Sequence, residues 1–139
     1  MAELLHSDLT FKIIGAAMEV HRVLGPGFLE SIYQRAMESE MCRRGMPFES
    51  QRRLSLTYKG EVLGEHVIDL VVDGKVVVEL KAVKDLTEQH QAQIISYLKA
   101  SRLQIGLLIN FAKRSLEHRR ILLKDALLPP NPFNPLNPL

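Results

Sequence analysis

The stretch His66–Val83, HVIDLVVDGKVVVELKAV, decides how the rest of the chain is read. Asp73-Gly74 at its centre favours the positive φ values of a tight hairpin turn, so the spacing predicts strands Glu61–Val72 and Lys75–Val83 joined there. Most of the stretch is β-branched or apolar, as expected of strands buried on at least one face. Asp69, Glu79 and Lys81 break that pattern. Side chains alternate across a strand, so Glu79 and Lys81 project from one face, and hairpin pairing brings Asp69 beside them. Two carboxylates and an amine in an apolar sheet are costly to bury unless the charge is compensated. Two compensations are open: an ion pair in which Lys81 neutralises Glu79 on an exposed strand face, or a divalent cation held by Asp69 and Glu79. Magnesium and manganese sites take one or two carboxylates, with water and substrate phosphate completing the shell. Such an ion makes water a better nucleophile near neutral pH and offsets charge on a scissile phosphate, and Lys81 would then orient that water.

Upstream of this hairpin, Leu54, Leu56 and Tyr58 alternate with Ser55 and Thr57, the period of a strand with one wet face. Lys59-Gly60 turns it into Glu61–Val72, which completes a three-stranded meander. Nearer the N-terminus, Asp8 is a candidate N-cap for a helix from Leu9, with an apolar stripe of Leu9, Ile13, Ala17, Val20 and Leu24. Gly25-Pro26-Gly27 stops it. A second helix is predicted from Phe28 to Arg44, with Leu29, Ile32, Tyr33, Ala36 and Met37 facing inward, ended by Gly45 and Pro47.

Downstream, Thr87 or Asp85 caps a third helix, Glu88–Ala100, with Ile94, Ile95 and Leu98 toward the core. Gln104–Phe111, QIGLLINF, reads as a strand buried on both faces. Ser115–Leu123 fits strand or helix equally. Hairpin-linked strands followed by a helical crossover imply an α/β domain: a mixed β-sheet flanked by helices in the order α-α-β-β-β-α-β.

At 139 residues the chain holds one domain, residues 1–128, followed by a Pro/Asn-rich tail, 129–139, which is a candidate contact for a protein partner. Its 46% apolar and 24% charged residues are those of a globular protein, and the apolar runs fall short of membrane-spanning length. The opening MAELLHSDLTFK lacks the apolar core of a secretory signal, and the single cysteine, Cys42, excludes an internal disulfide framework; both suit the cytoplasm. A net charge of +2 permits nucleic-acid binding without arguing for it.

Other polar residues admit two readings each. Glu30, in the first turn of the second helix, either interacts with the helix dipole or reaches the sheet as a third metal carboxylate. Gln93 and Tyr97, four apart on one helical face, either flank the apolar stripe or contact the metal-bound water network or a DNA phosphate. His66 is an odd number of residues from Asp69, so it faces away and is read as a non-ligand, and His21 sits at the edge of the first helix's apolar stripe. The pairs Arg43-Arg44, Arg52-Arg53, Lys113-Arg114 and Arg119-Arg120 either touch a phosphate backbone or form solvated surface. The oligomeric state is open.

Taken jointly, these motifs resemble a known family. Asp69 with Glu79-Leu80-Lys81 resembles the D…(D/E)xK signature of the PD-(D/E)XK nuclease superfamily, with Ile68 where the name has proline. Gln93-Ile94-Ile95-Ser96-Tyr97 resembles the QxxxY element of its exonuclease-like branch. Gly27-Phe28-Leu29-Glu30-Ser31-Ile32-Tyr33 is similar to the signature of the GxxExxY family, and the likeness runs from Leu9 to Leu123. It implies a restriction-endonuclease-like core and a metal-dependent nuclease, acting on DNA with Mg2+ or Mn2+. It also implies residue roles: Glu30 as helical acid, Asp69 and Glu79 as metal carboxylates, Lys81 as catalytic lysine, Gln93 and Tyr97 as the accessory pair. The rival expectation is a catalytically inactive nucleic-acid-binding or accessory module on the same scaffold.

Overall fold

The computed structural model describes residues 5–124, so the boundary at 128 and the tail 129–139 lie outside the described residues. Its elements are α1 (Ser7–Leu24), α2 (Glu30–Arg43), β1 (Phe48–Tyr58), β2 (Glu61–Val72), β3 (Val76–Lys81), α3 (Glu88–Ser101), β4 (Ile105–Asn110) and β5 (Glu117–Leu122). The five strands form one sheet in the order β1-β2-β3-β4-β5. All neighbours are antiparallel except β3 and β4, which run parallel because α3 carries the chain across between them. The mixed sheet flanked by helices is thus as the sequence implies, with β5 resolving the ambiguous Ser115–Leu123 segment as a strand.

Each face of the sheet buries its own apolar layer. Ile13, Ala16, Ala17 and Val20 of α1 and Tyr33, Met37 and Met41 of α2 pack on Leu70, Val72, Val76, Val78, Leu80, Leu107 and Ile109. Ile94, Tyr97 and Leu98 of α3 cover Ile68, Val71, Val77 and Leu108 on the other face. Alternate burial explains the continuous apolar runs of β3 and β4, which have no wet face.

Several local expectations are corrected. Helix α1 begins at Ser7, with His6 in a left-handed conformation and no side-chain cap, so Asp8 lies inside its first turn. Helix α2 begins at Glu30 rather than Phe28, and β3 spans Val76–Lys81 rather than Lys75–Val83. Leu29 and Ile32 do not face inward: they are 76% and 42% exposed, whereas Tyr33 and Met37 are buried as read and Met41 extends their stripe. Tyr58 is exposed as well, at the tip of the β1–β2 ribbon. The Asp73-Gly74 turn forms as read, with φ of 53° and 62°. Thr87, not Asp85, caps α3, in a reciprocal box with His90.

Candidate active site

Strand β2 loses its regularity at Asp69. Pairing with β3 extends only from Val72 opposite Val76 to Leu70 opposite Val78. Pairing with β1 passes from Ser50 opposite Leu70 to Arg52 opposite Ile68, skipping Gln51, whose φ is 50°. Ile68 packs under α3 whereas Leu70, two residues on, packs under α1 and α2, so the alternation of faces slips by one step at Asp69. An unpaired residue inside a sheet needs other partners for its backbone. Glu79 Oε1 accepts from the Asp69 N–H at 3.0 Å, and Asp69 Oδ2 accepts from the Leu80 N–H at 2.8 Å. The Asp69 carbonyl accepts from Gln34 Nε2 at 2.9 Å. The two carboxylates of the motif are therefore locked reciprocally, each on the other's strand.

This arrangement sets the charge at the site. Glu79 is 4% exposed, and burial, followed by the neighbouring Asp69 carboxylate, pushes its carboxyl up to about 8. Lys81 pulls the other way but does not pair with it: Lys81 Nζ donates to Gln93 Oε1 at 2.8 Å. Among the described residues no ion pair involves Asp69 or Glu79. The ion-pair reading of Glu79 and Lys81 is thereby set aside. Tyr97, half a face away on α3, has its phenol pushed up to about 12, first by burial and then by Glu79 and Asp69, so it remains a hydrogen-bond donor at any working pH.

The remaining candidates are placed as follows. Glu30 opens α2 and is exposed; with Ser31, Gln34, Arg35, Glu38, Gln51, Leu80 and Asp69 it lines a cleft of about 410 Å3 between α2 and the slipped strand. It shares that cleft with Asp69 but does not join a tight cluster: among the described residues no three His, Cys, Asp or Glu side chains stand together as a metal-holding group. Tyr33 shapes the entry to α2, donating to the Gly25 carbonyl at 2.6 Å and stacking on Phe111. His66 faces α3, 2.8 Å from Ser96 Oγ and against the Tyr97 ring, and burial lowers its pKa. His21 contacts the Lys113 carbonyl at 2.8 Å. Arg44, Arg52, Arg53, Lys113 and Arg119 are engaged in ion pairs with surface acids. Gln34 is the residue that sequence reasoning missed. It falls inside α2 with an ordinary helical spacing, and only the slipped strand makes its amide necessary.

Oxygen donors suit a hard divalent cation, and two adjacent carboxylates with no ion-pair partner among the described residues fit one: its charge would offset both the burial and the Asp69 repulsion that raise the Glu79 carboxyl. Fold and site together define a class, an α/β domain with an acidic pair at the point where its sheet parts. The chain belongs to the PD-(D/E)XK nuclease superfamily, whose family model matches residues 7–121. Among solved structures it is similar to SSO0001, with a TM-score of 0.56 and 18% identity over 70% of this chain and 52% of that one. It is also similar to an alkaline exonuclease (LHK-Exo) from Laribacter hongkongensis, with a TM-score of 0.44 and 16% identity over 70% of this chain and 57% of that one. The chain thus spans little more than half the length of either, and the first likeness speaks for the fold. A comparison with curated proteins gives no match. No helix among the described residues is long and apolar enough to cross a membrane.

Proposed function

We propose that the protein is a metal-dependent nuclease of the GxxExxY type that hydrolyses phosphodiester bonds, with DNA as substrate. The observation that carries this is the Asp69–Glu79 pair, two adjacent carboxylates with no ion-pair partner among the described residues, at the point where β2 and β3 part. Asp69 and Glu79 would hold Mg2+ or Mn2+, with Glu30 supplying a further carboxylate from the cleft wall. The ion, when bound, supplies electrostatic stabilisation of the phosphate and a more acidic water. Lys81, steadied by Gln93, presents its ammonium beside that pair and stabilises charge developing on the phosphoryl oxygens. Tyr97, kept protonated beside the two carboxylates, would offer its hydroxyl as a hydrogen-bond donor to a bound phosphate or water.

The test is incubation of purified protein with linear duplex, nicked, circular and single-stranded DNA, and with RNA, in Mg2+, Mn2+ or chelator. Products that appear only with metal, and vanish in Glu79→Gln and Lys81→Ala, are expected. Glu79→Gln is preferred to alanine because its amide oxygen still accepts the Asp69 N–H. Equal cleavage by parent and both variants would remove the proposal. Salt-sensitive binding without metal-dependent products would instead assign a nucleic-acid-binding module on a nuclease scaffold.

A further inference from the structure

Resting on that reading of Asp69 and Glu79, we propose that Gln34 is a positioning residue for the metal site, acting through the main chain of Asp69. Gln34 is 8% exposed and sits in the second turn of α2, with its amide against the slipped step of β2. Its Nε2 reaches three acceptors on three elements: the Asp69 carbonyl at 2.9 Å, Glu38 Oε2 at 2.8 Å and Ser50 Oγ at 3.3 Å. An amide has two N–H groups, so the two short contacts take one each and the Ser50 contact is the shared, weaker one. Ser50 in turn donates to Glu38 Oε2.

The orientation of this amide is fixed by chemistry. An ionised Glu38 carboxylate only accepts, so it selects the rotamer in which nitrogen, not oxygen, faces it, and the second N–H then points at Asp69. The network thereby supplies a bond that neither neighbouring strand makes, since Asp69 is skipped in the pairing of β2 with both β1 and β3. The Asp69 N–H is held by Glu79, the very carboxylate a cation would engage. Once Glu79 turns to an ion, Gln34 is the contact that still fixes the Asp69 backbone, and with it the direction of the Asp69 carboxylate. Partners of this kind, one step removed from the ligands, set affinity by limiting how far the ligands can stray.

The test compares the full-length parent with Gln34→Leu, which keeps the bulk of the side chain and removes the donor. Two readouts are made well below the melting temperature: amide hydrogen exchange, and calorimetric Mn2+ binding without nucleic acid. Exchange at Asp69 and Leu80 is expected to accelerate about tenfold or more, while Val71 and Val78 keep their protection. Mn2+ affinity is expected to fall about tenfold in the same variant. If Gln34→Leu fails to fold, Glu38→Ala, a substitution at a half-buried surface position, releases the amide's orientation and is expected to weaken Mn2+ binding about threefold. Unchanged protection at Asp69, or lost protection with parental Mn2+ affinity, would overturn the proposal, as would parental affinity in Glu38→Ala. A parent that binds no Mn2+ at any pH would overturn the nuclease reading and the metal-site role together. The exchange comparison would then show separately whether Gln34 holds Asp69.

Discussion

Glu79 carries the largest electrostatic consequence in the described structure. An ordinary glutamate titrates at 4.5, and in the fold its carboxyl is pushed up to about 8, first by burial and then by Asp69. Between those values the folded chain keeps a proton that the unfolded chain has lost, so stability falls as pH rises across the window and levels off above about 8. The metal-free protein is therefore expected to melt lower at pH 8 than at pH 5, by on the order of 10 °C, equivalent to a few kcal/mol. Thermal scans of parent and Glu79→Gln check this: the variant should show a much flatter profile and be the more stable at pH 8. The same proton opposes a cation, so Mn2+ affinity should rise about tenfold per pH unit below the Glu79 value and then flatten. At Lys81 the expected outcome is narrower. Gln93→Leu frees the ammonium held at 2.8 Å, and kcat should fall about tenfold with little change in KM or melting temperature.

At the level of elements, the helix carrying Gln93 and Tyr97 sits where it does because β4 offers it a residue without a side chain. A Cβ on Gly106 would stand 2.7 Å from Ile94 Cδ1 and 3.0 Å from its Cγ1, so α3 is seated directly against the strand. Gly106→Ala is expected to destabilise the protein by about 2 kcal/mol, and Ile94→Val, which removes the colliding methyl, should recover part of that loss. Equilibrium denaturation of the two single variants and the double variant decides it. The helices and the central strands were legible in the sequence because their periodicities are strong: Ile13, Ala17 and Val20 on α1, and VVVEL in β3. The first turn of α2 was not. Leu29 and Ile32 have the spacing of core residues, but Leu29 is extended ahead of the first helical turn, and Tyr33 anchors that turn by donating to the Gly25 carbonyl and accepting from the Phe28 N–H. Hydrophobicity reports which side chains gain from burial, not where a helix takes its first hydrogen bond.

Across the whole molecule, the site occupies a place where two regular patterns disagree, the facing of β2 and its pairing. The motif residues Asp69, Glu79 and Lys81 stood out in sequence as charges in an apolar run, and the structure brings the two carboxylates together. What the run could not disclose was the slip that joins them, since a shift in facing at a single residue leaves composition and alternation nearly unchanged. Glu30, grouped with them by motif alone, lines the cleft without entering a cluster, and Gln34, which no motif marked, is bonded to Asp69. Beyond Asp69 the β1–β2 ribbon runs on to its Lys59-Gly60 turn with no pairing to β3. Amides of Thr57 to Gly64 are therefore expected to exchange far faster than those of Val76–Val78 and Leu107–Ile109, by about a hundredfold or more, in a native-state exchange experiment.

That departure of the ribbon from β3 leaves its nearer half hung on a single helix, with Ile68 and Leu54 in the α3 layer and His66 Nε2 2.8 Å from Ser96 Oγ. The acidic pair lies at the seam, so bending of the ribbon there would strain the α3 layer through Ile68, Leu54 and the His66–Ser96 contact while leaving the α1–α2 layer in place.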